Sequence, residues 1–262
     1  MTQDDMTLND AVKGTSPDNP VRLLARTVLD LLLPHQCLAC NDMVGEQGAL
    51  CSACWAKITF PSAPYFDICA LPFEFDAGEG SICGVCSRQA PDFDRARSAM
   101  VYDDASRRLV LGFKHGDRTE AAPAFGRWMA GTGADLIANS DVIVPVPLHW
   151  TRLFARKFNQ AALLAHEIGG LSGIDVVPDL LVRRKRTPPQ GKLSALARQR
   201  NLQGAIVMKP KRKTLAEGKA VLLVDDVFTT GATVSACARV LRRAGASSVN
   251  VLTLARVVRA SI

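Results

Sequence analysis

Two sets of residues in this chain have types and spacings that can do chemistry. The first lies in VLLVDDVFTTGAT, Val221 to Thr233, where an apolar run ends in two adjacent acids and a threonine–glycine cluster follows. A loop that opens a helix offers unpaired backbone N–H groups to an anion. Gly231 lets the backbone approach closely, and Thr229, Thr230 and Thr233 add hydroxyl donors on either side of Ala232. Asp225 and Asp226 are poor partners for a phosphate, but they can accept hydrogen bonds from vicinal hydroxyls or hold a divalent metal. A sugar with a phosphate at one end and two free hydroxyls at the other satisfies both groups. The second set is cysteine. Cys37, Cys40, Cys51 and Cys54 form two C-x2-C knuckles at structural-zinc spacing. Four thiolates close the tetrahedron, so such a site is structural and not catalytic. Cys83 and Cys86 make a third knuckle with Cys69 upstream, while Cys237 stands alone in a helical stretch and reads as a small buried hydrophobe.

The elements that must position these residues follow from periodicity. Val21–Leu33 has apolar residues at helical spacing and stops at Pro34, after a polar tail, 1–20, that is expected to be disordered. The cysteine-rich segment has little periodicity and needs staples to hold a fold. From about Ala96 the texture changes to strands alternating with helices. Strands are expected at Ala99–Tyr102, Asp141–Val146, Ala220–Val224 and Ser248–Ala255. Helices are expected ending near Lys114, and over Ala122–Ile137, Phe158–Leu171, Ala195–Gln203 and Ala232–Ala244. That alternation predicts an α/β fold, a parallel sheet with helices on both faces, whose ligand site lies beyond the carboxyl ends of the strands. Pro145–His149 and Asp225–Thr233 then share one rim. The division is a tail (1–20), a helix and zinc module (21–96) and an α/β domain (97–262).

Composition narrows the class. The chain has 262 residues, 48% of them hydrophobic and 22% charged, as in an ordinary globular protein, and no apolar run long enough to span a membrane. Its N-terminus fits neither a secretory signal nor a transit peptide, so a cytoplasmic location is expected. The net charge of +7 favours anionic partners, with basic runs at Arg183–Arg186 and Lys209–Lys213. Ten Phe, three Trp and two Tyr, without basic–aromatic interleaving, argue against a stacking platform for single strands.

VLLVDDVFTTGAT resembles the phosphoribosyl pyrophosphate (PRPP) motif of type I phosphoribosyltransferases. FKHGDR (Phe113–Arg118), PVPLHWTRLFARKFNQAALLA (Pro145–Ala165), RRKRTPPQGKLSALARQRNLQGAI (Arg183–Ile206) and the cysteine-rich N-terminus stand in the order found in the ComF family, which joins a double zinc ribbon to such a domain. The resemblance covers roughly residues 34 to 258. It implies a type I phosphoribosyltransferase fold, with Asp225 and Asp226 on the ribose hydroxyls and the Thr229–Thr233 loop on the 5-phosphate. It also implies Mg²⁺ on the pyrophosphate, held near Val146, Arg152, Arg156, Arg184, Arg198 and Lys114. The family carries Gly or Arg where Lys157 stands, and a cysteine where Phe66 stands. Cys69, Cys83 and Cys86 therefore either bind zinc with Asp67 or water as fourth ligand, or have lost the metal. His115 and His149 read as surface or packing residues.

The implied function is PRPP binding, with pentosyl transfer to an unspecified acceptor and a role in handling imported single-stranded DNA, in contact with a DNA-uptake helicase. Two other classes fit parts of the sequence: a nucleic-acid-binding adaptor without turnover, and a nucleotide-salvage phosphoribosyltransferase.

Overall fold

The computed structural model describes residues 34–73, 78, 80–115, 118–185 and 204–258. The expected tail (1–20), the helices at Val21–Leu33 and Ala195–Gln203, and Arg198 lie outside the described residues. From Gln36 onward the chain forms one unit.

Four strands make an all-parallel sheet in the order β1–β6–β5–β2: β1 Ala96–Val101, β2 Val142–Pro145, β5 Ala220–Phe228 and β6 Ser248–Arg256. The sheet is buried on both faces, and strand alternation sorts its side chains into two cores. Leu222, Val224, Ile143, Leu252 and Leu254 join one core with residues of α3 (Asp104–His115), α4 (Ala122–Thr132) and α7 (Gln160–Ser172). Val221, Leu223, Val142, Val144 and Val251 join the other with α8 (Ala232–Arg243) and with a two-stranded antiparallel sheet, β3 Leu181–Arg183 and β4 Ile206–Met208.

Several boundaries differ from the periodicity. β1 begins at Ala96 because Arg97, which interrupts the apolar pattern, is buried: its guanidinium donates to the carbonyls of Asp67 and Ala96 and lies over the Tyr65 ring. β5 does not stop at Val224. β6 runs beside it through Arg256, pairing Asp225 with Thr253, Val227 with Ala255 and Phe228 with Arg256, so the ladder continues through both acids. The expected helix over Ala122–Ile137 breaks at Gly133 into α4 and a short α5 (Ala134–Ala138). A Cβ at Gly133 would meet Leu252 at 2.6 Å, so glycine there brings the helix pair onto β6. A separate helix, α6 (Trp150–Arg156), follows β2. It ends on Lys157 at φ 65°, a left-handed position that suits glycine.

The cysteine-rich segment packs on the edge of this sheet. Two helical turns, α1 (Ser52–Trp55) and α2 (Gly84–Arg88), carry the second cysteine of a knuckle each. Leu38 and Ile58 enter the α3/α4/α7 core, and Trp55, Phe60 and Trp128 form an aromatic trio with centroids 4.9–5.7 Å apart, Trp128 edge-on to the other two.

Candidate functional site

The Thr229–Thr233 loop joins β5 to α8 at the carboxyl edge of the sheet. Gly231 caps α8 at φ 73°, and a Cβ there would lie 2.8 Å from the Phe228 ring. Both facts require glycine: the left-handed backbone costs other residues about 1–2 kcal/mol, and the aromatic floor leaves no room. A concavity is lined by Asp225, Phe228, Thr229, Gly231, Ala232 and Thr233. The first-turn N–H groups of α8 lack intrahelical partners and point the positive end of a twelve-residue helix into it. The Thr230 hydroxyl, in the same loop but outside the lining of the concavity, is buried with no hydrogen-bond partner.

Because β5 runs through the acids, Asp225 and Asp226 face opposite sides of the sheet. Asp225 looks toward α8 and β3, near Cys237 and Arg183; Asp226 looks toward α3, where its Oδ2 lies 3.1 Å from Lys114 Nζ. Burial, then the negative charge of Asp226, pushes the Asp225 carboxyl up to about 7. Lys114 and Arg183 act in the other direction. The structure thus brings Lys114 to the acids as an ion-pair partner, both members mostly buried, and Gln160 accepts its place beside them by donating to the Lys114 carbonyl at 3.2 Å. Burial pushes the Cys237 thiol up, and Asp225 adds to that, which keeps the thiol neutral inside α8.

The Pro145–His149 loop lies beside the acids through the β2–β5 register, Pro145 opposite Val224. Val146 is a correction to the sequence reading. Its N–H donates to the Val224 carbonyl and its own carbonyl accepts from Asn159, so a buried Val146 has no N–H to offer an anion. Prolines on both sides have none either. His149 caps α6 through its ring nitrogen, which accepts from the Thr151 N–H. Arg156 donates to Gln160 at 3.2 Å, and Arg152 lies near enough to Arg183 for their charges to interact.

The sequence reading named Arg184, which is exposed; the arginine turned toward the acids is Arg183, 5% exposed. Burial, then the Arg152 charge, lowers its pKa, with Asp225 opposing. Strand alternation decides between the two neighbours, and a basic run of four gives no sign of which residue faces in.

Cys37, Cys40, Cys51 and Cys54 place their sulfurs within 4.8 Å of one another, with Cys40 Sγ 3.6 Å from Cys51 Sγ. A zinc tetrahedron with bonds of about 2.3 Å has sulfur–sulfur edges of about 3.8 Å, so the four residues fit the ion. The N–H of Cys51 donates to Cys37 Sγ at 3.3 Å, the outer contact that steadies a thiolate ligand. Cys69, Cys83 and Cys86 form a second group of the same spread, with Cys69 Sγ 3.6 Å from Cys83 Sγ. Among the described residues no carboxylate, Asp67 included, places an oxygen within 4.8 Å of all three sulfurs. The Cys69 carbonyl accepts from Arg256, whose guanidinium lies 4.9 Å over the Phe228 ring beneath Gly231.

A parallel sheet with an acid-bearing strand, an anion loop and a helix at its carboxyl edge, joined to paired cysteine knuckles, defines a type I phosphoribosyltransferase fold with a zinc-binding module. Family comparison agrees: residues 28–91 match the double zinc ribbon domain and residues 160–260 the phosphoribosyl transferase domain. The chain is 30% identical over 228 residues to competence protein F of Haemophilus influenzae, covering 84% of this chain and 96% of that protein. It is 32% identical over 236 residues to DNA utilization protein YhgH of Salmonella typhi, covering 86% and 99%. To competence protein ComFC of Bacillus subtilis it is 28% identical over 215 residues, covering 79% and 84%. The chain belongs to the ComF family. Its cysteine clusters and double zinc ribbon match support structural zinc.

Proposed function

We propose that this protein binds PRPP with Mg²⁺ at the β5–α8 loop and acts in the handling of imported single-stranded DNA. The cradle carries the first half of this reading: a glycine-capped helix N-terminus flanked by Thr229 and Thr233, with Asp225 in its lining. In this reading the 5-phosphate accepts hydrogen bonds from the first-turn N–H groups of α8 and from the threonine hydroxyls. Asp225 accepts from a ribose hydroxyl. Asp226 does the same once Lys114 turns from it to the phosphates. A carboxylate of the acid pair would help to hold Mg²⁺, which when bound with PRPP would supply positive charge against the phosphates.

Transfer breaks the bond from the anomeric carbon to the pyrophosphate oxygen, and the electron pair leaves with pyrophosphate. A lone pair of the acceptor forms the new bond at that carbon. The oxocarbenium-like transition state asks the protein mainly to position groups and to stabilise the leaving charge, a role this reading gives to Arg152 and Arg183. The DNA role is supported by the relatives, which bear the names competence protein and DNA utilization protein.

Calorimetry with Mg²⁺ tests the pocket. PRPP is expected to bind wild type and to lose at least about a hundredfold in affinity in Asp225→Asn/Asp226→Asn, since two half-buried charged acceptors are removed. Equal binding by the two proteins, or none by wild type, overturns the assignment.

A further inference from the structure

α6 is a seven-residue helix whose outer side has no cover among the described residues. Trp150 is 62% exposed, Leu153 41% and Phe154 79%. They recur at helical spacing and end on the exposed Lys157, so they form one stripe. The Trp150 and Phe154 rings touch edge to face, centroids 6.1 Å apart at 87°. Three large apolar side chains side by side in water make a patch that marks an interaction surface. The low aromatic count of the whole chain conceals this local concentration, and the expectation of no basic–aromatic interleaving fails here, where Arg152, Arg156 and Lys157 interleave with Trp150, Phe154 and Phe158.

Charge identifies the occupant. From Val142 to His166, and again from Leu180 to Ala216, the sequence has fourteen Lys and Arg and no acid. The remaining eighteen cations share the rest of the chain with all twenty-five acids, a net −7 there against +7 overall. The positive surplus therefore resides entirely in these two segments. The fold brings the start of the second segment to the first: a parallel bridge pairs His149, at the start of α6, with Arg183, and the exposed Arg184 and Lys185 follow, whereas Lys209 and Arg212 pair with Asp179 and residues 186–203 lie outside the described residues. A polyanion with flat, unpaired apolar faces matches such a surface, as base stacking on aromatics and phosphate contacts to adjacent cations occur together in single-strand binding.

We propose that the outer face of α6 binds single-stranded DNA, stacking bases on Trp150 and Phe154 while Arg152, Arg156, Lys157 and the end of β3 hold the phosphates. This rests on the DNA half of the reading above and names its surface. A duplex hides the base faces and competes poorly. Arg152 interacts electrostatically with Arg183 beside Asp225, so the strand would run along the rim of the sugar-phosphate cradle.

The test is fluorescence anisotropy with a labelled dT oligomer of about 20 nucleotides, long enough to track one such site. Wild type is expected to bind with an affinity that falls steeply with salt, and better than to a duplex of equal length. Trp150→Ala/Phe154→Ala loses at least about tenfold, whereas Trp150→Tyr/Phe154→Tyr retains binding. Lys157→Gln lowers the salt slope by about one. Both aromatic side chains are exposed, so the double alanine variant keeps the melting temperature, zinc content and PRPP calorimetry of wild type. Asp225→Asn/Asp226→Asn loses PRPP but keeps the oligomer, which separates failure of the cradle from failure of this surface. Undiminished oligomer binding by the double alanine variant overturns the proposal, as does no binding by wild type. So does sedimentation in which wild type dimerises through this face and binds no oligomer.

Discussion

At the residue scale the site turns on a carboxyl that is half protonated near neutrality. Asp225 stands at about 7 because it is buried and faces the charge of Asp226. An unfolded aspartate has released its proton by about pH 4. Between about pH 4 and 7 the folded chain holds more protons than the unfolded chain, so stability falls as pH rises across that window. Asp225→Asn removes this dependence. Its melting temperature is expected to exceed that of wild type at pH 8 and to approach it at pH 5, and parallel melts at both pH values would refute the assignment. In the proposed reading the ligand requires the carboxylate, so PRPP binding strengthens through pH 7 and releases a proton. Calorimetry in buffers of different ionisation heat reads that release directly. Gly231→Ala is expected to cost about 1–2 kcal/mol in urea unfolding, from the left-handed backbone alone, with more as the added Cβ displaces Phe228.

At the element scale, β5 and β6 carry a physical link between the second cysteine group and the phosphate loop. Arg256, at the end of β6, is buried, donates to the Cys69 carbonyl and lies over Phe228, whose ring forms the floor beneath Gly231. Arg256→Ala removes a charged hydrogen bond and a desolvated cation–π contact together, an expected loss of about 2–4 kcal/mol in unfolding free energy. Loss of less than about 1 kcal/mol would show that the contact is not structural. The two cysteine groups also differ. Four thiolates close the first, whereas the second has three among the described residues, and we expect its fourth ligand to be exchangeable. A chelator is expected to remove one zinc per chain quickly and the other slowly, with Cys69→Ala abolishing the fast phase and Cys40→Ser the slow one. Native mass spectrometry distinguishes the two.

At the scale of the whole molecule, the zinc-binding segment and the sheet form one unit. Leu38 and Ile58 lie in the α3/α4/α7 core, Phe93 packs against Phe228 in the other, and Arg97 donates from β1 to the Asp67 carbonyl. A module anchored by shared cores and buried guanidinium groups unfolds with the domain it rests on. Stripping zinc is expected to lower the melting temperature by about 10 °C or more while keeping a single transition, because the metal's binding free energy is part of the folding free energy. Two separate transitions in calorimetry would show that the segments fold independently. No helix among the described residues is long and apolar enough to cross a membrane.

The sequence by itself determined the parallel α/β architecture, the zinc knuckles and the acid–threonine–glycine loop. Each is encoded locally: a continuous apolar run is a buried strand, C-x2-C fixes sulfur spacing, and a glycine marks where the backbone turns left-handed. It did not determine where β5 ends, because the strand is prolonged by hydrogen bonds from β6, twenty-eight residues away in register. It could not tell Arg183 from Arg184, or show that the Val146 N–H is taken by Val224, since facing and pairing are set by the partner strand. Tertiary structure alone turned the two acids to opposite faces, gave one of them Lys114, and left an aromatic helix face in water beside the basic rim. Local spacing writes the chemistry of single residues; the neighbours that tune a carboxyl or expose a tryptophan come from segments distant in the chain.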